Sequence, residues 1–214
     1  MKKLTILDYG IGNLKSVQNA FEHLKVNIII AKTPSDILDA TSLVIPGVGS
    51  FYDGMKELVS RNLVTAIQKY TKSNKPLLGI CLGMQLLFES SEEFGEFGEH
   101  SGLGIIPGLV KKIPDKASDG ASIKVPHVSW SSLQPVNKDW LNTPLSGLKK
   151  NDEMYFVHSF TAWPTDDDDR LADTLYFGNR ICAVVQKENV YGCQFHPERS
   201  GEKGLNILKY FLQI

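Results

Sequence analysis

Cysteine is scarce in this chain of 214 residues, which has three: Cys81, Cys182 and Cys193. An odd and sparse set does not make a disulfide framework, and no pair has the C-x-x-C spacing typical of a zinc site. Unpaired cysteines of this kind are typical of proteins in a reducing compartment. We therefore expect a cytoplasmic protein without a metal site.

An excess of charge and a long apolar run are lacking too. The formal net charge is -1, whereas nucleic-acid-binding domains usually carry a clear basic surface. No stretch reaches the roughly 18 apolar residues of a membrane span. The opening "MKKLTILDYG" has too few apolar residues for a signal peptide. The sequence therefore predicts neither a nucleic acid nor a membrane as a partner.

What the sequence does have is an ordinary globular composition, with 42% hydrophobic and 22% charged residues. A chain of this length is within the range of one domain, and it buries enough surface to fold without a metal or a disulfide. We predict a single domain over residues 1–214.

Strand-like and helix-like segments alternate through the first half of the chain. The predicted strands there are 4–10, 26–32, 42–51 and 76–80, and the predicted helices are 13–24, 35–40, 52–73 and 84–91. This alternation predicts an α/β fold with a mostly parallel central sheet flanked by helices on both faces. The second half has short predicted strands at 102–114, 123–133, 152–164, 170–180 and 181–198, before a closing helix at 204–214. We therefore expect an additional antiparallel portion in the C-terminal half.

The segment "KPLLGICLGMQLLF" (75–88) is a predicted strand that turns into a helix at Cys81. Gly79 and Gly83 flank the cysteine, and this G-x-nucleophile-x-G pattern is typical of a tight strand-to-helix turn. The start of a helix favours a thiolate and leaves the main-chain N–H of Leu82 placed to stabilise an oxyanion. A buried filler is the alternative for a lone cysteine, but the two glycines favour a nucleophile.

A thiolate needs a proton partner, and His196 is the best candidate among the five histidines. It follows the predicted strand of "VYGCQFHPE", so it also lies at a strand end, and Glu198 is two residues further on. In an extended segment residues i and i+2 point the same way, so the carboxylate could hold the imidazole and fix its tautomer. A turn with a surface acid pair is the alternative.

These motifs resemble a known family. "GICLGMQLLF" with "QFHPE" resembles the class I glutamine amidotransferases, the Cys-His-Glu glutaminases. "LDYGIGNLKSV", "PGVGSF", "KVPHVSW" and "YFVHSF" are similar to the glutaminase subunits of imidazole glycerol phosphate synthase, and this likeness runs from residue 4 to 214. The resemblance implies a role in histidine biosynthesis, L-glutamine as the substrate and no cofactor.

The resemblance also implies a role for each reacting residue. Cys81 attacks the side-chain amide of glutamine, His196 carries the proton to the departing ammonia, and Glu198 orients His196. A thioester forms and water hydrolyses it to glutamate. In the family the loop of Val48 and Gly49 supplies a second oxyanion donor beside Leu82, often only after a peptide flip. We therefore expect a low resting activity that a partner's ligand raises.

Further positions follow from the same resemblance. The implied glutamine-binding residues are Gly47, Gln85, Glu93, Ser159 and Phe160, and the implied interface residues are Asn13, Trp130 and Arg199. The implied partner is a (β/α)₈-barrel cyclase subunit, which forms a heterodimer with the glutaminase and receives its ammonia. Two departures bear on this interface: Arg199 stands where the family commonly has lysine, and "HVSWS" (127–131) stands where it commonly has "HMGWN". For Trp130, a place in the core is the alternative.

Other functions stay open at this point. A paralogous glutaminase that supplies ammonia to a surface-sugar amidotransferase would share the same reacting residues. A cysteine peptidase on the same scaffold generally lacks Glu198 together with "CLGMQ" and "PGVG". A catalytically silent binding subunit would not need an intact set of Cys81, His196 and Glu198.

Overall fold

The computed structural model describes residues 3–94 and 100–214. The strands are β1 (Lys3–Leu7), β2 (Asn27–Ala31), β3 (Leu43–Ile45), β4 (Leu77–Ile80), β5 (Phe88–Ser91), β6 (His100–Ser101), β7 (Ile106–Lys112), β8 (His127–Ser132), β9 (Gln134–Pro135), β10 (Glu153–His158), β11 (Phe160–Pro164), β12 (Arg170–Tyr176), β13 (Asn179–Lys187) and β14 (Val190–Cys193). The helices are α1 (Leu14–His23), α2 (Pro34–Asp39), α3 (Phe51–Ser60), α4 (Val64–Thr71), α5 (Leu82–Gln85) and α6 (Gly201–Phe211). None of the helices in these two ranges is long and apolar enough to cross a membrane.

The main sheet has eight strands in the order β2-β1-β3-β4-β14-β13-β12-β9. Neighbours from β2 to β14 are parallel, and β13, β12 and β9 continue the sheet with antiparallel pairs. Cys193 of β14 lies opposite Ile80 of β4, so the carboxyl ends of these two strands meet at one edge of the sheet. The prediction of a mostly parallel sheet with an additional antiparallel portion is confirmed.

A separate hydrophobic core lies on each face of the main sheet. In β1, Leu4 and Ile6 belong to one core and Leu7 to the other, as the two-residue period of a strand requires. Helices α2, α3 and α4 cover the face of Leu7, and α1 and α6 cover the opposite face. Parallel strands buried on both faces are almost wholly apolar, which accounts for the short unbroken apolar runs of β3 and β4.

Two smaller sheets are built from the middle of the chain. One has the order β11-β7-β5-β6, and the other is the antiparallel pair of β10 and β8. His158 ends β10 and Phe160 begins β11, so Ser159 is the single residue between the two sheets. The segment predicted to hold glutamine is therefore the junction of these sheets.

Two predicted helices are wrong in their extent. In segment 84–91 the helix ends after one turn at Gln85, and strand β5 begins at Phe88. Residues 86–88 are all buried, and a short, fully buried apolar run has no period that separates a helix from a strand. The single helix predicted over 52–73 is divided into α3 and α4, because Asn62 takes a left-handed φ of 58° and a left-handed residue ends a helix.

Candidate active site

Cys81 occupies a strained turn between β4 and α5. Its backbone angles are φ 54° and ψ -109°, and such a conformation costs a residue with a side chain about 1–3 kcal/mol. The N–H of Cys81 donates to the carbonyl of Cys193 at 2.8 Å. A Cβ at Gly83 would lie 1.9 Å from the carbonyl oxygen of Ile45, so this turn packs against β3 only with glycine there. Because α5 is one turn long, the helix dipole expected behind Cys81 is small.

His196 follows β14 and is almost fully buried, with 3% of its surface exposed. Its Nδ1 lies 2.9 Å from Oε1 of Glu198, so its Nε2 is left for another partner. Pro197–Arg199 forms a 3-10 turn, and it is this turn, not the alternation of an extended strand, that brings the carboxylate to the ring. The Oε2 of Glu198 is buried and has no hydrogen-bond partner within the described residues.

Cys81 and His196 line one cavity of about 350 Å³, and the His196 ring is within hydrogen-bonding reach of the thiol. Burial lowers the pKa of His196, but the hydrogen bonds and negative charges of Cys81 and Glu198 raise it by more. The pKa of His196 consequently rises from 6.5 to about 10. At neutral pH the ring is therefore an imidazolium beside the sulfur, which is the arrangement of an activated cysteine nucleophile.

The loop after β3 forms the mouth of this cavity. Val48 and Gly49 line it with Leu82, and Val48 is exposed. The hydroxyl of Tyr9 donates to the carbonyl of Pro46 at 2.9 Å and holds the start of the loop. Burial, and after it the charge of Cys81, raises the pKa of Tyr9, so this hydroxyl remains a donor. Gly49 has a φ of 111°, a region that residues with a Cβ rarely adopt.

Four of the five predicted glutamine-binding residues line the same cavity, namely Gln85, Glu93, Ser159 and Phe160. Glu93 accepts a hydrogen bond from the main-chain N–H of Phe51 at the start of α3, and burial raises the pKa of Glu93. The fifth residue, Gly47, does not line the cavity. It packs behind the wall, where a Cβ would lie 2.7 Å from both Tyr9 and Leu82.

One polar residue of the site went unnoticed in the sequence. Gln194 is fully buried, and its Nε2 lies 3.7 Å from the sulfur of Cys81. Its Oε1 accepts from Nε2 of Gln85 at 2.9 Å. The signal was available, because Gln194 precedes His196 by two residues at the end of a strand, and alternation places such residues on one side.

A buried pair of histidines was missed as well. Nδ1 of His127 lies 3.0 Å from Nε2 of His158, and Nδ1 of His158 donates to the carbonyl of Phe160 at 2.8 Å. Burial is the main cause that lowers the pKa of His127 to about 4 and that of His158 to about 3, so both rings are neutral at pH 7. Within the described residues no group of three or more His, Cys, Asp or Glu side chains is placed to hold a metal ion.

Two of the predicted interface residues, Trp130 and Arg199, share one surface around the ring of Tyr155. Trp130 is 52% exposed, and its ring centroid lies 6.0 Å from that of Tyr155. The guanidinium of Arg199, which is exposed, lies 5.2 Å from the Tyr155 centroid. Asn13 is exposed, and its side chain caps α1, which packs against the turn of Arg199. The sequence did not single out Tyr155.

Comparison with known proteins agrees with this geometry. Residues 5–214 match the family model described as Glutamine amidotransferase class-I. The imidazole glycerol phosphate synthase subunit HisH 1 of Legionella pneumophila (strain Lens) is 49% identical over 216 residues, which cover 100% of both chains. The chloroplastic imidazole glycerol phosphate synthase hisHF of Arabidopsis thaliana is 43% identical over 98% of this chain and 34% of its own length.

A solved structure shares the fold at lower identity. The structure of PurLQS from Thermotoga maritima has a TM-score of 0.72 at 21% identity, covering 99% of this chain and 98% of the other. The fold, the full-length family match and the identity to curated relatives all agree. The chain therefore belongs to the class-I glutamine amidotransferase family, and within it to the HisH subunits of imidazole glycerol phosphate synthase.

Proposed function

We propose that the cavity around Cys81 hydrolyses the side-chain amide of L-glutamine, and that the ammonia released passes to the cyclase subunit of imidazole glycerol phosphate synthase in histidine biosynthesis. The single observation that carries this proposal is the thiol of Cys81 on a strained turn beside the His196 imidazolium, which the buried carboxylate of Glu198 holds. A cavity of about 350 Å³ suits a ligand of amino-acid size.

The first step is attack on the amide carbon by the thiolate of Cys81. The N–H of Leu82 and an N–H of the Val48–Gly49 segment stabilise the oxyanion that forms. Removing one such donor typically costs roughly 3 to 4 kcal/mol of barrier. The glycine at position 49 permits either orientation of this peptide, so the second donor is switchable, and the resting activity is low until the partner's ligand favours the productive orientation.

The second step is expulsion of ammonia from the tetrahedral intermediate. His196 gives its proton to the leaving nitrogen, and the C–N bond breaks to leave a γ-glutamyl thioester on Cys81. Water then attacks the thioester, His196 takes a proton from that water, and the C–S bond breaks to release glutamate. Glu198 keeps the ring oriented and stabilises its charged form throughout.

The substrate's amino-acid end is held at the junction of the two smaller sheets. Ile113 N–H donates to the carbonyl of Ser159 at 2.9 Å, so in this antiparallel register the N–H and carbonyl of the next residue, Phe160, point away from β7. The Phe160 N–H serves the substrate carboxylate. The Glu93 carboxylate and Oε1 of Gln85 accept from the substrate ammonium.

The partner docks on the surface of Trp130, Tyr155 and Arg199, with Asn13 at its border. Free ammonia is mostly ammonium at neutral pH and is then a poor nucleophile, so a protected path into a second active site is useful. The Arabidopsis relative, of which the matching segment is 34%, supports this arrangement because the same unit is there part of a longer chain. All three cysteines of the present chain are free, which fits the cytoplasm.

Release of glutamate from glutamine tests the proposal. It is measured with the chain alone, with the purified cyclase, and with the cyclase and its nucleotide substrate. The expected result is weak activity alone, an increase with the loaded cyclase, and none above background for Cys81→Ala. Cys182→Ala, which removes a buried thiol outside the cavity, is the matched control and keeps activity. Activity of Cys81→Ala would overturn the mechanism, and activation by a sugar-modifying partner in place of the cyclase would overturn the pathway.

A further inference from the structure

A row of hydrogen bonds lies behind the cavity and ends on the nucleophile. The carbonyl of Phe160 accepts from Nε2 of Gln85 at 3.0 Å. The same Nε2 donates its other hydrogen to Oε1 of Gln194 at 2.9 Å. Nε2 of Gln194 then lies 3.7 Å from the sulfur of Cys81. Gln194 is fully buried and Gln85 nearly so, so water does not compete for these bonds.

The direction of every bond in this row follows from one main-chain group. A carbonyl oxygen only accepts, so the Gln85 atom facing Phe160 has to be the amide nitrogen. Because Gln85 then spends its second hydrogen on Gln194, the Gln194 atom facing Gln85 has to be oxygen. The nitrogen of Gln194 therefore faces Cys81, where it donates. This assignment depends on no choice between the two orientations of either amide.

The Phe160 carbonyl has a second donor. Nδ1 of His158 also donates to the Phe160 carbonyl, at 2.8 Å, so both lone pairs of that oxygen are occupied. Nε2 of His158 must then accept from Nδ1 of His127, and Nε2 of His127 must accept from a serine hydroxyl, since Ser129 and Ser131 lie 2.9 Å away. The carbonyl of Phe160 thus fixes two histidine tautomers as well as two amide orientations.

We propose that Gln194 is a positioning residue for the nucleophile: it donates Nε2–H to the Cys81 thiolate, in an orientation that the Phe160 carbonyl imposes through Gln85. This inference rests on the proposed role of Cys81. A thiolate accepts hydrogen bonds, and a donor to a charged acceptor is worth more than one to a neutral acceptor. Gln194 does not line the cavity, so this donor does not block the approach of a substrate.

The rate at which iodoacetamide alkylates Cys81 as pH is varied tests this inference in the chain alone, without glutamine or a partner. The modified residue is identified by mass spectrometry. Gln194→Met keeps the length of the side chain and removes the donor. We expect its alkylation profile to move to higher pH and its rate at pH 7 to fall about tenfold, as expected for a lost hydrogen bond to a charged group.

A second substitution separates donation from packing. Gln194→Glu is isosteric with the native side chain, but it turns a donor into a carboxylate that repels the thiolate. Its profile is expected to move further than that of Gln194→Met. Thr161→Val is the matched control, because Thr161 is buried next to Phe160 and its hydroxyl has no hydrogen-bond partner within the described residues. Its profile should coincide with that of the native chain.

A purely structural role for Gln194 predicts a loss of stability without this order of profiles. If folded Gln194→Met and Gln194→Glu both keep the native profile, the inference is overturned. If neither variant folds, side-chain amide resonances of the ¹⁵N-labelled native protein decide. The inference requires a glutamine amide signal that follows the ionisation of Cys81, and the lack of one refutes it.

The outcome is separable from that of the proposed function. A native chain that shows the expected order of alkylation profiles but never hydrolyses glutamine would support the role of Gln194 and refute the glutaminase proposal. If the native chain hydrolyses glutamine but the Gln194 variants are alkylated like the native chain, the glutaminase proposal is supported and the role of Gln194 is refuted.

Discussion

The main sheet and the two smaller sheets contribute to the site in different ways. Cys81 and His196 follow neighbouring parallel strands, β4 and β14, and the main-chain bond from Cys81 to Cys193 ties one strand end to the other. Ser159 and Phe160 lie where β10 of one smaller sheet passes into β11 of the other. The predicted reacting groups thus lie at adjoining strand ends of the main sheet, whereas Ser159 and Phe160 lie between the two smaller sheets and Trp130 lies on one of them.

Buried histidines in the two regions differ in charge: at pH 7 the ring of His196 is protonated, whereas the ring of His127 is neutral. The pKa of His196 is raised to about 10 by Cys81 and Glu198, in spite of burial, whereas burial lowers the pKa of His127 to about 4. Stability from His196 is therefore complete below its ordinary pKa of 6.5 and is lost as pH rises through 10. Stability from His127 is complete above 6.5 and is lost as pH falls through 4. Burial decides the charge where no anion is near, and paired anions overrule it at the nucleophile.

The largest effect is expected when a charge is removed from the site at the edge of the main sheet. Glu198→Gln removes the charge that supports the His196 imidazolium and leaves the shape of the turn intact. The rate constant for glutamine hydrolysis with the loaded partner should fall roughly 10³- to 10⁴-fold. Glu202→Gln, an equal change on the exposed first turn of α6, is the control. A loss of less than tenfold for Glu198→Gln would mean that the carboxylate does not support the ring.

The next largest effect is expected from a substitution on the outer surface of the smaller sheets. Trp130→Ala should weaken binding of the cyclase about 30-fold, as expected for an aromatic anchor worth about 2 kcal/mol. Titration calorimetry measures this binding. Stability of the isolated chain should not change, because half of the side chain is in solvent. Trp163, also exposed, lies on β11, and Trp163→Ala should bind normally. Equal losses for both variants would contradict the assigned surface.

A packing change at the turn after β4 should affect the free energy of unfolding, by an amount similar to or smaller than the loss of binding energy for Trp130→Ala. Gly83→Ala places a Cβ against the main-chain carbonyl of Ile45, which has little room to move. We expect the free energy of unfolding, from urea titration, to fall by about 1–3 kcal/mol. Gly54→Ala is the matched change, because its Cβ would meet flexible carbons of Leu86 and Leu82 at 3.1 Å and beyond. If Gly83→Ala and Gly54→Ala lower the free energy of unfolding equally, the turn does not pack tightly against β3.

The smallest effect is expected in the pH dependence of stability, where the neutral His127 and the protonated His196 should act in opposite directions. Between pH 6.5 and 4 the unfolded chain takes up a proton at position 127 that the folded chain does not, so the free energy of unfolding falls as pH falls. His127→Gln should flatten this decline in urea titrations, although it is less stable at pH 7. His23→Gln, at an exposed end of α1, should leave the decline unchanged. If the free energy of unfolding of His127→Gln falls with pH as steeply as that of the native chain, the His127 ring is protonated in the folded native chain.

The main-sheet region was the more predictable of the two. Its strands are short apolar runs, the predicted nucleophile Cys81 lies between two glycines, and the predicted base His196 follows a strand and precedes a proline. These are local signals, because a strained turn and a strand end are each specified within a few residues. The helix predicted at 84–91 was wrong where the chain leaves the main sheet for β5, because residues 86–88 are all buried and show no helical period.

The smaller sheets were harder to predict. The contact of His127 with His158 and the tilted contact of Trp130 with Tyr155 join residues distant in sequence, as does the approach of Gln194 to Cys81 at the main sheet. No local pattern specifies which of these groups will meet, because each partner comes from a distant segment of the chain. Gln85 was therefore predictable as a polar residue of the site, but the row of hydrogen bonds to which it belongs was not.

The adjacency of β4 and β14 also orders events during synthesis of the chain. A nascent chain that has left the ribosome only as far as β13 contains Cys81 but neither His196 nor Glu198. The turn that carries them follows β14, which pairs with β4. The proposed hydrolysis therefore requires a pairing between two strands that are more than a hundred residues apart in the sequence.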